Sequence, residues 1–213
     1  MSRPEQDTLL SALPLQTRQA LVVTACRRGP AWSARVAVME KHGETWRRVL
    51  GPFRAVAGRN GFALPGEKRE GDGKTPSGIF AVEHAFGDAQ AVSTALAYRR
   101  IRDDDIWVDD PLSADYNKWT KKGKTGALSF EEMRRPDTLY RYGIVIGYNR
   151  NPVVKGLGSA IFLHVWQGCD VPTSGCVALA EKDLVAILAR LDPSRQPLSL
   201  WGSVDSEKKH VDP

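Results

Sequence analysis

Two side chains of complementary chemistry stand twelve positions apart: His164, in Ile161-Phe-Leu-His-Val-Trp166, and Cys176, in Thr173-Ser-Gly-Cys-Val177. A thiol is only a few per cent thiolate at neutral pH, and the thiolate is the nucleophile. An imidazole beside it takes the proton and activates the sulfur. Cys169, after Gly168, is nearer to His164 in sequence and is the rival thiol. It is also the obvious disulfide partner for Cys176, and that bond would consume the nucleophile. Cys26 reads as core.

The elements around the pair must bring them together. Ile161, Leu163 and Val165 alternate with Phe162, His164 and Trp166, so His164 projects from one face of a strand between two aromatics. Gln167-Gly168 ends that strand, and a short loop delivers Gly175-Cys176. Gly175 lets the backbone approach a substrate. Thr173 and Ser174 either donate hydrogen bonds or make the turn. Leu184, Ile187, Leu188 and Leu191 recur at helical spacing, which predicts a helix over 181–191 stopped by Asp192-Pro193.

Strands are expected over 20–26, 34–39, 45–50, 53–57, 79–82, 140–148 and 198–201, with a hairpin turn at Lys41-His-Gly-Glu44. Ala91, Val92, Ala95 and Leu96 fall on one helical face. Ser129-Phe-Glu-Glu132 fits a capping box and predicts a short helix ended by Pro136. Seven or eight strands against two or three short helices define one mainly β domain over 19–203, between tails at 1–18 and 204–213. Residues 87–128 carry the weakest pattern and form a lid or an insertion. Within them Tyr116, Asn117 and Trp119, together with Trp166 further on, are candidates for a substrate-facing rim.

The composition excludes several classes. The chain has 213 residues, a net charge of +5, three cysteines without a CxxC pair and four histidines without an HExxH spacing. No metal site and no organic cofactor are read from it. The turn-rich Gly71-Asp-Gly-Lys-Thr-Pro-Ser-Gly78 lacks phosphate-loop spacing and precedes a strand, which argues against a nucleotide site. Neither a nucleic-acid motif nor a membrane span is found. The opening Met1-Ser-Arg-Pro-Glu-Gln-Asp has no apolar segment and no cleavage site, so no secretion signal is read.

Thr173-Ser-Gly-Cys-Val177 with His164 upstream resembles the signature of the YkuD-type L,D-transpeptidases, the ErfK/YbiS/YcfS/YnhG family. Asp72-Gly-Lys-Thr-Pro-Ser-Gly-Ile-Phe80 is similar to that family's Thr-Pro-Thr-Gly-x-Phe element. The resemblance implies a β-sandwich or barrel acting on peptidoglycan stem peptides as a monomer, in the periplasm or cell wall. Cys176 would attack the carbonyl after an L-centre, with His164 as base and the Val165 carbonyl orienting the imidazole. Backbone N–H groups near Gly175 and Cys176 would hold the oxyanion, worth about 3 kcal/mol per donor.

Three departures from the family pattern stand out. Ala178 replaces the usual Arg, Val165 replaces a small residue, and the His-to-Cys spacing is short. A branch with Ala at this place is associated with cross-links to the first-position alanine of the stem. Three readings follow: a transpeptidase, a hydrolase with the same site (including one delivered against another cell), and a wall-binding module without activity.

Overall fold

The alternation around His164 becomes a strand, Phe162–Val165, with a different apolar cluster on each face. The structure, a computed structural model, describes residues 10–11, 13–26 and 29–202. In chain order the strands are β1 (Gln19–Ala25), β2 (Ser33–His42), β3 (Thr45–Val56), β4 (Gly78–Gly87), β5 (Tyr98–Arg100) and β6 (Asp105–Val108). They continue as β7 (Trp119–Lys121), β8 (Phe130–Glu132), β9 (Gly143–Ile146), β10 (Phe162–Val165), β11 (Val177–Leu179) and β12 (Leu198–Gly202). Helix α1 (Glu181–Arg190) and a short 3-10 turn (Pro193–Arg195) lie between β11 and β12.

Hydrogen bonding runs β12-β1-β2-β3-β11-β10-β9-β4-β5, and β12 also pairs with β4. That pairing closes eight strands into a barrel, with β5 added in parallel outside β4. Closure satisfies backbone groups that open edges would leave unpaired. Leu21, Val36, Ile144, Leu163, Val177 and Trp201 belong to one core, which Leu184, Ile187 and Leu188 of α1 also join. Each such side chain contributes about 1.5–3 kcal/mol on full burial. The fold is mainly β, and of the two expected architectures it is the barrel.

On the other face of β10, Phe162 packs with Phe86, Trp107, Tyr140 and Val145, and Cys176 joins this second cluster. A small sheet, β7-β6-β8, supplies part of it. From residues 87–128, the expected lid or insertion, Ile101, Trp107 and Trp119 pack into this cluster.

Other expectations are corrected. Phe130–Glu132 is a strand paired antiparallel with β6, not the start of a helix. The capping-box pattern has no apolar helical period behind it, and pairing with buried β6 wins. No helix forms at 91–96; Thr94 Oγ1 instead accepts from the Leu96 N–H within a bent segment. Residues 45–50 and 53–57 merge into β3. Leu10 and Leu13 are buried against Ala20, Val22 and Met39, where a tail had been expected to 18. The expected tail at 204–213 and residues 1–9 lie outside the described residues.

Candidate active site

β10 and β11 run parallel in register Leu163–Val177, His164–Ala178 and Val165–Leu179. One step back along both strands sets Cys176 beside Phe162, whose N–H donates to Cys176 Sγ at 3.3 Å. The sulfur in turn donates to the Ala160 carbonyl at 3.1 Å. His164 and Cys176 both line one cleft of about 430 Å³, a volume suited to a small peptide segment. Both residues are nearly buried, Cys176 9% exposed and His164 6%. No hydrogen bond joins the two among the described residues; the thiol is held by backbone.

His164 Nδ1 lies 2.8 Å from the Val165 carbonyl oxygen. A carbonyl only accepts, so Nδ1 carries the proton and Nε2 is left as the basic nitrogen. Burial lowers the imidazole pKa to about 4, against the opposing pull of the Val165 and Leu139 carbonyls and of Asp137. Burial pushes the Cys176 thiol well up, and the Glu131 carboxyl adds to this; the Phe162 N–H, Lys68 and Arg135 pull it down. The resting pair is therefore neutral thiol and neutral imidazole, not a thiolate–imidazolium pair. All three cysteines are free, so no bond joins Cys169 to Cys176. Cys169 stands at the surface side of the loop, its sulfur donating to Asp170 at 3.5 Å.

The cysteine loop is fastened at Thr173. Its N–H donates to the Ala57 carbonyl at 2.9 Å and its carbonyl accepts from the Arg59 N–H at 2.9 Å. Its hydroxyl donates to the Cys176 carbonyl at 2.6 Å and accepts the Gly175 N–H at 3.1 Å. Thr75, from the second sequence motif, also donates to the Cys176 carbonyl at 3.3 Å and accepts the Gly58 N–H at 2.8 Å. The two motifs, a hundred residues apart, thus meet on one carbonyl. Gly58 permits the approach: a Cβ there would lie 2.4 Å from the Gly73 carbonyl. Gly175, at φ +157°, leaves room for the Lys74 carbonyl, 3.1 Å from where a Cβ would stand. Ser174 accepts from Arg59 Nη1 at 3.2 Å.

The expected rim residues are elsewhere. Tyr116 and Asn117 are interior. Asn117 Oδ1 accepts from Trp107 Nε1 at 2.9 Å and from the Ala160 N–H at 3.2 Å, and Tyr116 donates to Glu70. Trp119 stacks under Arg99 at 4.0 Å. None of these three, nor Trp166, lines the cleft. The groups that do line it and that sequence reasoning missed are Glu131, Arg135 and Tyr140, with Arg59, Lys68 and Glu70 on the other side. Tyr140 meets the His164 ring edge-on at 5.3 Å and donates to Glu131. Lys68, almost wholly buried, is held by Asp72 at 2.7 Å. The sequence placed Tyr140 at the head of a strand over 140–148, but the strand is only Gly143–Ile146 and Tyr140 lies in the turn before it.

A closed β-barrel whose parallel strand pair presents a thiol and an imidazole to one polar cleft defines a cysteine-bearing catalytic-type domain. The model of the YkuD family, an L,D-transpeptidase catalytic domain, matches residues 33–199, and the chain belongs to that family. A solved structure of the helical cell shape determining protein Pgp2 from Campylobacter jejuni is 13% identical over 88% of this chain, with a TM-score of 0.45. The chain spans about half, 48%, of the length of that structure. No curated protein matches it.

Proposed function

We propose that the protein is a peptidoglycan L,D-transpeptidase working through a thioester on Cys176, one catalytic domain spanning 19–203. The reading rests on the observation that Cys176 and His164 face one cleft from adjacent parallel strands. Nε2 of His164 takes the thiol proton as the sulfur attacks the carbonyl after an L-centre of the donor stem. The C–N bond beyond breaks, and the same proton passes to the leaving amine. The side-chain amine of a diamino acid on a neighbouring stem then attacks the thioester and gives its proton to His164. The thiolate leaves and is reprotonated. The oxyanion goes to the Cys176 N–H, since the Gly175 N–H already serves Thr173. Ala178 lies in register beside His164 as a bare methyl, and with it we assign the product as the L-alanine-to-diaminopimelate type.

A second reading has its own observation. The sulfur's bonds to Ala160 and Phe162, and its raised pKa, fit a wall-binding module with a quiescent thiol. Intact mass after exposure to a carbapenem-type β-lactam separates the two. Wild type and Cys169→Ala are expected to gain one adduct and Cys176→Ala none. An unmodified wild type supports the binding module, and an adduct that survives Cys176→Ala moves the nucleophile to Cys169. Analysis of products from purified stems then distinguishes cross-linking from hydrolytic trimming.

A further inference from the structure

Arg135 stands in the cleft with its two edges in different states. Nε and Nη2 grip the Asp137 carboxylate at 2.9 and 2.8 Å. Among the described residues Nη1 makes no hydrogen bond, and it pairs with Glu131 at 3.6 Å. The guanidinium lies over the Tyr140 ring at 5.2 Å, and that ring meets His164 at 5.3 Å. The side chain is 31% exposed and lines the cleft. A planar fork hydrogen-bonded on one edge, and only loosely paired on the other, is organised in advance for an incoming carboxylate. Glu131 faces that edge at 3.6 Å as a loose ion pair, a contact that an incoming carboxylate would displace. Burial pushes its carboxyl above the usual range, towards the uncharged form, against the lowering pull of Tyr140 and Arg135.

We propose that Arg135 is a carboxylate-binding subsite that reads the free α-carboxylate on the residue released from the acyl donor. The inference rests on the acyl-transfer reading above and adds the specificity group to it. His164 delivers its proton to the leaving nitrogen, and one tetrahedral carbon beyond that nitrogen lies the carboxylate. Arg135 stands one aromatic ring away from His164, across Tyr140. The chemistry serves either donor class. A terminal D-alanine carries a free α-carboxylate, and so does a γ-linked D-glutamate following the first-position L-alanine.

The test compares acid and amide. Cys176→Ala protein is titrated calorimetrically with L-Ala-γ-D-Glu and stem tetrapeptide, and with the same peptides carrying an α-carboxamide on the residue to be released. Loss of a charged hydrogen-bond pair is expected to weaken binding by about tenfold or more. Arg135→Gln on that background is expected to bind acid and amide alike, and Arg135→Lys to keep part of the preference. Turnover of the same pairs by protein with Cys176 intact is expected to show the same ratio. Equal handling of acid and amide while turnover proceeds overturns the subsite and leaves the transpeptidase reading standing. A preference that survives in a folded Arg135→Gln variant also overturns it. Protein that neither binds nor processes any stem peptide removes both together.

Discussion

At the scale of single residues, His164 sets a pH dependence that its type alone does not. An isolated imidazole titrates near 6.5; burial moves this one to about 4. A base must be unprotonated to accept the thiol proton, so the acid limb of kcat/KM is expected near pH 4, with a flat profile above 5. A limb near 6.5 would mean that the imidazole is solvated in the working enzyme. The same shift acts on stability. Unfolded chain takes up the proton below 6.5, whereas the folded protein resists until about 4. The contribution is complete above pH 6.5 and falls away on acidification to 4, by about 3 kcal/mol. Chemical denaturation of wild type against His164→Asn over that window measures it. Cys176 and His164 were legible because a glycine and a strand pattern flag them. Arg135 and Glu131 were not, since charges near a proline look like any solvated loop until a cleft closes over them.

At the scale of elements, the cysteine loop is held from two directions on one acceptor. Thr173 and Thr75 both donate to the Cys176 carbonyl, one from within the loop and one from the segment before β4. Thr173→Val and Thr75→Val are each expected to cost about 1 kcal/mol in stability and to lower acylation of Cys176 severalfold. Because they share a partner, the double variant should differ from the sum of the singles by about 0.5 kcal/mol or more, measured by denaturation and by the rate of β-lactam adduct formation. Strict additivity would show that the two hydroxyls act independently. The sequence marked both motifs but not their meeting, because nothing local encodes a contact spanning a hundred residues. Strands with a clear local pattern, such as the apolar run 20–26 and the alternating 161–166, were legible, and β8 was not because it has none. Three residues carry no period, and β8 exists because β6 needs a partner on that edge. Tyr116 and Asn117 misled in the opposite sense. Polar aromatics in a Pro-containing loop suggest a surface, yet Asn117 is interior because four backbone and side-chain partners satisfy its amide.

At the scale of the whole molecule, the barrel depends on β12, which pairs in parallel with β1 and antiparallel with β4. Trp201 sits on that seam, opposite Val23 on one side and Gly78 on the other. It is buried in the main core and meets Phe80 edge-on at 6.0 Å. Replacing it with alanine leaves a cavity where the first and last parts of the chain join, at a cost of about 3–5 kcal/mol. For a domain of this size that lowers Tm by roughly 6–20 °C. The main core reaches one face of β10, and the cluster containing Cys176 begins on the other face of that strand. The seam and the cleft therefore belong to one cooperative unit, and damage to the first should release the second. Far-UV circular dichroism and alkylation at Cys176, read by peptide mass, are expected to share one midpoint in wild type and to fall together in Trp201→Ala. Alkylation that rises well before the dichroism changes would show that the wall around the sulfur opens on its own, without the barrel coming apart.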